Sequence, residues 1–428
     1  MQRVKILWFT NTACSATEKL GINSISGGWL KSLEERCRII PEIDLAICFY
    51  TYQDLLPFVY NETKYYPVRR PNMKSKFGRF LTRVFTLATR DKKELKDLIK
   101  VIDAFKPDLI HIHGTEENFG MVQEFTNIPI IISIQGILNS CVIKYFSGIP
   151  VSIASKYENL LNKLAFASNK YNYNQIENSA KREKKILMNT KYIIGRTAWD
   201  MRISRVLAPN STYFQVDEIL RTNFYTKVWE KSDFNNPVQI TTISGNGFYK
   251  GFEIIVSTAH ILNQFKNINF VWNVIGLNAD SNVVQIVKKW KRLNLNNLNV
   301  KLFGILSENQ VIDVLIDSDI FCQTSHIENS SNSLCEAMML GLPIVANYAG
   351  GTDSIIENNK EGILIQDGDP FILAGSIYEL INDFKKSKNF ASSARTRALI
   401  RHNPQNILKA LIEAYNYILS PYNLKIEI

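Results

Sequence analysis

The sequence lacks the features that mark membrane-spanning, disulfide-stabilised and zinc-binding proteins. Its 428 residues contain no apolar run that approaches the roughly 20 residues of a membrane span. The N-terminal stretch begins as a strand-like apolar run and has no signal-peptide pattern. These absences, with 46% hydrophobic residues, favour a cytoplasmic globular protein. No CxxC pair occurs, so neither a zinc site nor a disulfide framework is indicated by the cysteines Cys14, Cys37, Cys48, Cys141, Cys322 and Cys335.

Positive charge exceeds negative charge by ten, and part of the excess is concentrated in the segment Arg69 to Arg83. This segment has six basic residues and no acid, with apolar residues recurring at helical spacing. One interpretation is a basic amphipathic helix that rests on an anionic membrane surface or holds an anionic acceptor. The other is a helix with a solvated basic face whose apolar face packs on its own domain. No nucleic-acid-binding module accompanies the charge, so nucleic acid is not an expected partner.

Apolar runs of strand length alternate with helical stretches along almost the whole chain. The runs are nearly continuous, as in parallel strands buried on both faces, which predicts an α/β protein with two doubly wound Rossmann-like domains. A polar segment between Ile219 and Gln239 separates two series of such runs. We therefore expect an N-terminal domain over residues 1–220 and a C-terminal domain over residues 221–403. Residues 404–428 are expected to form a helix and tail that can pack back on the N-terminal domain.

Glycines at the ends of two predicted strands are candidates for binding an anion. Gly27 and Gly28 precede a predicted helix, where backbone amides are free and a phosphate can approach closely. The alternative is an ordinary turn. Lys250 precedes Gly251 and another helix, at a strand end that faces the predicted cleft. It is either a cation for a phosphate or a surface lysine in a glycine-rich turn.

The stretch "HIENSSNSLCEAMMLGLPIVANYAGG" follows a predicted parallel strand and places Glu328 eight residues before Glu336. Ligands of open α/β sheets bind beyond the carboxyl ends of the strands, which favours a ligand site here. However, the spacing of Ser333 and Glu336 also fits an S-x-x-E capping box, in which Glu336 bonds back to the start of its own helix. The spacing by itself leaves both interpretations open.

This stretch resembles the E-x7-E region of family 4 of the retaining GT-B glycosyltransferases. Other stretches fit in the same order, among them "KPDLIHIHG", "ISGNGFYKG", "VIGLNAD" and "KLFGIL". The resemblance covers nearly the full length and is strongest from Ile243 to Gly351. "GRTAWD" and "VDEILRTNFY" further resemble a bacterial subgroup associated with surface-polysaccharide assembly. The expected architecture is thus GT-B, with two Rossmann-like domains facing across a cleft.

The resemblance implies a role for each matching residue. Glu328 would contact the donor-sugar hydroxyls near the reacting carbon, and Glu336 would bind the ribose hydroxyls. Lys250 would neutralise the leaving diphosphate, and Gly28, with Gly27 before it, would let the diphosphate approach.

The same resemblance assigns backbone contacts to the segment between the two glutamates. The amides of Ser330 and Ser331 would hold the sugar, while those of Asn332 and Ser333 would meet the diphosphate. The base would lie against the backbone near Ile305. Serines and an asparagine replace the usual glycines of this segment, and the backbone contacts can survive that change.

Two departures from the family pattern concern cleft residues. The arginine that usually accompanies the family lysine is absent, and Asn246 stands near its place. Stabilisation of the leaving group would then rest more on Lys250 and helix amides, or on Arg196 if that residue reaches the cleft. In the family, a histidine often follows the fourth predicted strand of the N-terminal domain, and Gln135 replaces it here. Whether Asn246 and Gln135 reduce the transferase activity does not follow from the sequence.

No metal or cofactor is expected. The D-x-D patterns at residues 317–319 and 367–369 lie at a helix end and in a turn, and the resemblance implies no metal. His111 and His113 alternate on one strand, followed by Glu116 and Glu117, without metal-ligand spacing. The two histidines are expected to line the core or the cleft, and His113 is the better site candidate.

Taken together, the residues and the resemblance predict a metal-independent glycosyltransferase that retains anomeric configuration. The expected donor is a nucleoside diphosphate sugar, linked to UDP or GDP, and the expected acceptor is a glycan or a lipid-linked hydroxyl at the inner face of the membrane. Two alternatives are a nucleotide-sugar epimerase of the same fold and a non-catalytic nucleotide-sugar-binding subunit. A third, a peripheral membrane protein, explains the basic segment but not the paired glutamates. Neither the sugar, the base nor the acceptor follows from the sequence.

Overall fold

The computed structural model describes residues 3–21, 28–70, 87–159 and 168–427. These residues form two β-sheets with helices packed against them. The predicted class, an α/β protein with two Rossmann-like domains, is confirmed.

The first sheet has eight strands in the order β3-β4-β2-β1-β5-β6-β7-β8. All neighbouring strands pair in parallel except β3 and β4, which are antiparallel. The strands are β1 (Val4–Thr10), β2 (Ile43–Thr51), β3 (Phe58–Tyr60), β4 (Thr63–Arg69), β5 (Leu109–His113), β6 (Ile130–Ser133), β7 (Tyr192–Gly195) and β8 (Thr212–Gln215).

The second sheet has six strands, all parallel, in the order β11-β10-β9-β12-β13-β14. The first strand in sequence, β9, lies in the interior of the sheet, and the chain reverses its winding direction there. This reversal is the point at which doubly wound sheets bind ligands. The strands are β9 (Val238–Ile243), β10 (Phe270–Ile275), β11 (Val300–Gly304), β12 (Ile320–Gln323), β13 (Ile344–Asn347) and β14 (Ile363–Ile365).

Helices connect most of the strands. Those up to the end of the first sheet are α1 (Ala16–Lys19), α2 (Gly28–Cys37), α3 (Leu87–Phe105), α4 (Leu138–Lys144), α5 (Val151–Lys156), α6 (Asn169–Met188) and α7 (Ala198–Leu207). Those that follow are α8 (Asn223–Thr226), α9 (Phe252–Leu262), α10 (Asn282–Lys291), α11 (Glu308–Asp317), α12 (Asn332–Leu340), α13 (Thr352–Ile355), α14 (Pro370–Asn382), α15 (Phe384–Arg401) and α16 (Pro404–Leu419). Short 3-10 turns occupy Phe119–Glu124, Phe248–Lys250, Asn296–Leu298 and Ser420–Tyr422.

The central strand β1 explains why the apolar runs are nearly continuous. Ile6 and Trp8 pack in a core with α2 and α16 on one face of the sheet. Leu7 and Phe9 pack in a second core with α3 on the opposite face. Because side chains alternate between faces along a strand, a strand covered on both sides needs apolar residues at every position.

The C-terminal helix α16 packs on the first sheet. Its Tyr415 is fully buried, and the Trp8 indole donates a hydrogen bond to the Tyr415 hydroxyl over 3.1 Å. The same hydroxyl lies 2.7 Å from Nδ1 of His111, whose Nε2 lies 2.6 Å from the Ser133 hydroxyl. Helix α16 therefore follows the C-terminal sheet in sequence but belongs to the N-terminal core in space.

A cluster of aromatic side chains connects the two domains on one side of the cleft. Tyr145 and Phe146 follow α4, and their rings lie 6.0 Å and 5.5 Å from the ring of Phe248, which follows β9. Tyr173 on α6 completes the cluster through contacts with both N-terminal rings. This contact fixes the approach of the two sheets near the end of β9.

The basic segment Arg69 to Arg83 lies mostly outside the described residues, and only its first two residues have described contacts. Arg69 pairs with the exposed Asp54, whereas Arg70 is half-buried and bonds Glu94 and Glu117. Within the described ranges, none of the helices combines the length and the apolar composition needed to cross a bilayer.

Candidate functional site

Lys250 lies after β9, and the glycine that follows it fixes the position of this turn. Gly251 follows the 3-10 turn with φ of 72°, in the left-handed region. A Cβ at this position would lie 1.9 Å from the carbonyl oxygen of Thr324, so only glycine fits between the turn and the end of β12. The close approach brings Lys250 beside the loop that leads from β12 to α12.

That loop carries Glu328, and the structure brings it together with Lys250. The ammonium of Lys250 lies 2.5 Å from Oε1 of Glu328, although 78 residues separate them in sequence. Burial alone would lower the pKa of Lys250, but the Glu328 carboxylate outweighs this effect and raises it. Gly350 supports the loop from behind, because a Cβ there would lie 1.9 Å from the carbonyl oxygen of Glu328. The two residues with the most important predicted roles thus form one ion pair.

The capping-box interpretation of Glu336 is wrong. Helix α12 has Ser331 as its N-cap, so Ser333 is already the second helical residue. The Glu336 carboxylate turns away from the helix start and accepts two hydrogen bonds from Arg221, over 2.7 Å and 2.8 Å. Glu336 is 6% exposed, and burial raises its pKa in spite of the Arg221 guanidinium.

The first turn of α12 presents its amides to the same region. The amides of Asn332 and Ser333 precede the first intrahelical donor and have no carbonyl partner within the helix. The hydroxyls of Ser331 and Ser333 lie 3.1 Å apart. The carboxamide oxygen of Asn332 is buried and has no hydrogen-bond partner in the described part of the chain. An anion at this helix start would be favoured by both the free amides and the helix dipole.

Glu218 contacts both Ser330 and Arg196, and it was not predicted from the sequence as a site residue. The Ser330 hydroxyl donates to Glu218 over 2.5 Å, and the Arg196 guanidinium lies 3.5 Å from the other carboxylate oxygen. Burial alone would raise the pKa of Glu218, but Arg196, His402, Arg401 and the Ser330 hydroxyl together outweigh it and lower the pKa to about 2. Arg196 is itself buried, with its guanidinium 4.0 Å from the ring of Trp29. Arg196 therefore braces the loop of Ser330 and is not free in the cleft.

On the N-terminal side, the structure places His113 and Gln135 at neighbouring strand ends. His113 is buried between the rings of Trp8 and Trp29, and neither of its ring nitrogens has a hydrogen-bond partner among the described residues. Burial lowers the pKa of His113 well below its usual value, so the ring is neutral. The backbone carbonyl oxygen of Gln135 accepts a hydrogen bond from the Asn329 side chain across the cleft, over 3.2 Å. The side-chain nitrogen of Gln135 is buried and has no partner within the described ranges.

The remaining predicted residues are spread around this region. Gly28 opens α2, as predicted, while Gly27 lies outside the described residues. Asn246 has another partner, because its side-chain oxygen accepts the Val283 amide at the start of α10. Ile305 follows β11 and is 61% exposed.

Two further titratable residues, His326 and Glu116, were not predicted from the sequence as site residues. His326 lies between two carboxylates, 2.7 Å from Glu253 and 2.6 Å from Asp367. Burial would lower the pKa of His326, but Asp367 and Glu253 raise it to about 9. Glu116 lies beyond β5, and burial raises its pKa to about 7. The sequence signal for both was only their position at strand ends, which many structural residues share.

The D-x-D patterns have structural partners. Asp319 is buried and bonds Lys231 over 2.8 Å, Asp367 bonds His326, and Asp369 caps the start of α14. Asp317 ends α11.

One buried group of metal-ligand type exists among the described residues, formed by Glu218, Cys335 and His402. Its members are bonded to one another, since the Cys335 thiol donates a hydrogen bond to the Glu218 carboxylate over 3.4 Å. Burial raises the pKa of this thiol well above its usual value. Glu218 is already neutralised by Arg196, and His402 Nδ1 lies 2.9 Å from the Glu218 carbonyl oxygen. The group is a hydrogen-bonded part of the core.

The two Rossmann-like sheets define a GT-B architecture, and the candidate site residues lie between them. Comparison with solved structures supports the assignment. HepE of Anabaena, solved in complex with UDP and glucose, superposes with a TM-score of 0.65 and 17% identity, covering 97% of this chain and 100% of that one. At this identity the likeness establishes the fold alone.

Sequence comparison finds similarity to glycosyltransferases, mainly in the C-terminal domain. Residues 227–397 match the family described as Glycosyl transferases group 1. A Staphylococcus aureus poly(ribitol-phosphate) alpha-N-acetylglucosaminyltransferase is 30% identical over 133 residues, 31% of this chain and 26% of that protein. The capsular polysaccharide biosynthesis glycosyltransferase CapM of the same species is 26% identical over 185 residues, 37% of this chain and 48% of that protein. The chain spans less than half the length of the curated relatives it matches.

Proposed function

We propose that the protein is a glycosyltransferase that moves a sugar from a nucleoside diphosphate to an acceptor hydroxyl with retention of anomeric configuration. The observation that carries the proposal is the Lys250–Glu328 ion pair, which stands beside the free amides of α12. A carboxylate for sugar hydroxyls and two kinds of positive group for a diphosphate lie at the carboxyl ends of neighbouring parallel strands. This is where doubly wound sheets bind nucleotides.

Unpartnered polar atoms around the cleft support the same ligand class. Buried polar groups in proteins are nearly always hydrogen-bonded, so those that are not call for a ligand or a solvent molecule. His113, Gln135 and Asn332 each hold such an atom. All three were predicted from the sequence as site residues. A sugar has hydroxyls that donate and accept, which suits a neutral imidazole and two carboxamides.

The proposed chemistry depends on charge stabilisation at the leaving group. As the bond between the anomeric carbon and the diphosphate breaks, negative charge grows on the phosphate oxygens. Lys250 and the amides of Asn332 and Ser333 would stabilise this charge, and fixed positive groups in a buried site are effective for this purpose. The acceptor oxygen bonds to the anomeric carbon on the face being vacated, and its proton passes to the departing diphosphate. The proposal needs no metal and no protein nucleophile.

The polysaccharide relatives suggest the pathway and the acceptor. CapM is named for capsular polysaccharide biosynthesis, and the other relative is named as a poly(ribitol-phosphate) alpha-N-acetylglucosaminyltransferase. We infer a glycan or lipid-linked acceptor in surface-polysaccharide assembly, on the cytoplasmic side and near the membrane. UDP-linked donors should be tested first, because HepE was solved with UDP, and GDP-linked donors second.

The test is turnover by the purified full chain with a panel of UDP- and GDP-sugars, measured as nucleotide release with and without simple glycan acceptors. We expect one donor to be consumed, and Lys250→Ala and Glu328→Gln each to reduce the rate at least about a hundredfold. Lys64→Ala is the matched control, since it breaks a Lys–Asp pair of 2.7 Å on the first sheet, between β4 and β2.

The anomeric configuration of the product, read by NMR, tests retention. Donor conversion to an isomer without acceptor would indicate an epimerase. Donor binding without any turnover would indicate a non-catalytic subunit. Near-normal rates in both site variants would overturn the site assignment.

A further inference from the structure

Arg221 occupies a position that no assigned role explains. It lies in the segment between β8 and β9 that connects the two sheets, and its guanidinium binds both oxygens of Glu336. A second carboxylate, Glu308, lies 3.9 Å away. The other side of the guanidinium lies 4.6 Å from the ring of Phe224. Arg221 is therefore held at the junction of the linker and the C-terminal domain.

The same side chain also contacts the N-terminal domain at the start of α2. A Cβ on Gly28 would lie 2.6 Å from Cδ and 2.8 Å from Cγ of Arg221. The absence of a side chain at Gly28 thus makes room for Arg221. The arginine stem passes between the glycine proposed to admit the diphosphate and the glutamate proposed to bind the ribose.

These contacts create a conflict for any ligand that uses Glu336. A ribose diol that donates to both carboxylate oxygens at once would compete with Arg221 for the two-pronged position that the guanidinium occupies on Glu336. Binding of the ribose in that position would require Arg221 to release Glu336. The released guanidinium would keep only the Glu308 carboxylate, 3.9 Å away, as a partner, and a diphosphate at Gly28 and the α12 amides would offer it a second anion.

We propose that Arg221 exchanges partners on donor binding, from the Glu336 carboxylate to the diphosphate of the nucleotide. This inference rests on the proposed function. It identifies a second cation for the leaving group in a chain whose sequence has Asn246 near the place of the arginine that usually accompanies the family lysine. Guanidinium binds carboxylate and phosphate oxygens with the same two-pronged geometry, so the exchange preserves the type of bond on both sides.

The test compares a nucleoside with its diphosphate, because only the diphosphate offers the second partner. Affinities of uridine and UDP, and of guanosine and GDP, are measured by calorimetry on the wild-type chain and on Arg221→Gln. We expect Arg221→Gln to bind the nucleoside at least as tightly as wild type, since Glu336 is no longer occupied. The ratio of diphosphate to nucleoside affinity should fall about tenfold or more, as expected for a lost charged hydrogen bond.

Two further variants keep the result interpretable. Arg221→Gln/Glu336→Gln removes both charges, so it leaves no unpaired buried ion if the single variant unfolds, and its affinity ratio should fall equally. Arg401→Gln is the matched control, because Arg401 forms a 2.7 Å pair with Asp217 in the same linker. Its affinity ratio should match wild type.

An unchanged ratio in Arg221→Gln and in the double variant would overturn the exchange. An equal gain of nucleoside and diphosphate affinity would also overturn it, since Arg221 would then only block Glu336. If the wild-type chain binds none of these nucleotides, the proposed function fails before the exchange is at issue.

Discussion

At the scale of single residues, the candidate site contains pairs of opposite charge. In each pair, at least one partner was predicted from the sequence. Lys250 and Glu328 were both predicted, whereas the partner of Glu336 was not. A bidentate arginine–carboxylate pair has a fixed geometry and holds both side chains in place. These pairs hold the candidate site residues in place, and in the proposed exchange the Arg221–Glu336 pair is the one that a ligand replaces.

Glu336→Gln tests the role of this carboxylate. No capping bond is lost, because α12 begins at Asn332, so its start should be unaffected. We expect destabilisation of about 1 to 3 kcal/mol from the loss of the charged pair with Arg221. Nucleoside affinity should fall about tenfold, because an amide replaces one of the two acceptors for a ribose diol. Urea unfolding and calorimetry measure the two effects, and unchanged nucleoside affinity would contradict the ribose assignment.

His326 predicts a dependence of stability on pH. Its pKa is raised from the usual 6.5 to about 9, so the charged imidazole stabilises the folded state fully below pH 6.5. This contribution should be lost as the pH rises through about 9, by up to about 3 kcal/mol. His326→Gln should flatten the difference in unfolding free energy between pH 6.5 and 9.5. His260→Gln, on the exposed face of α9, is the control. An equal slope in wild type and His326→Gln would contradict the prediction.

At the scale of elements, α16 closes the first domain from the far end of the chain. Its apolar face was readable from the sequence, and its bounds, Pro404–Leu419, agree with the predicted helix. The hydrogen bonds of Tyr415 to Trp8 and His111 then fix the helix in one register on β1 and β5. A helix held in this way stabilises the N-terminal core although it does not touch the ligand site.

Tyr415→Phe should therefore destabilise the protein without changing its ligand affinity. The change removes the partner of the buried Trp8 indole nitrogen and of His111 Nδ1, which costs about 1 to 3 kcal/mol. Tyr417→Phe on the same helix is the matched control, because Tyr417 is 57% exposed. Thermal unfolding compares the two variants. A loss no greater than that of Tyr417→Phe would show that the hydroxyl is unimportant.

At the scale of the whole molecule, residues from both domains and from the linker between them form the proposed ligand region. Gly28, Arg221 and Glu336 meet at one point, and Asn329 reaches Gln135 across the cleft. The aromatic contact of Tyr145 and Phe146 with Phe248 joins the domains on another side. A ligand that bridges these groups should couple the stability of the two domains.

A nucleoside diphosphate at about 100 times its dissociation constant should stabilise the folded chain by about 2.7 kcal/mol. Because its contacts come from both domains, all heat-absorption transitions in calorimetry should shift together. Lys250→Ala should show a smaller shift at the same concentration, because the variant loses a cation proposed to bind the diphosphate. A shift confined to one of two transitions would mean that the ligand binds one domain alone.

The strands and helices were predictable where their signals are local. The apolar runs of β1, β5, β9 and β10 and the helix start at Gly28 lie where the sequence indicates them. The short strands β3, β4, β7, β8 and β14 have no long continuous apolar run, and such short segments give no distinctive pattern in the sequence. The resemblance to a known family supplied the residue roles, and the spacing of residues alone did not.

The sequence by itself determined the alternation of strands and helices, the two-domain plan and the candidate residues Lys250, Glu328 and Glu336. Each depends on neighbours a few positions away, where apolar periodicity and glycine placement act. Only the tertiary structure decided which charges pair. Arg221 and Glu336 are separated by 115 residues, and Lys250 and Glu328 by 78. Such partners are chosen by the packing of whole elements, which brings distant strand ends together, and no local pattern in the chain encodes that choice.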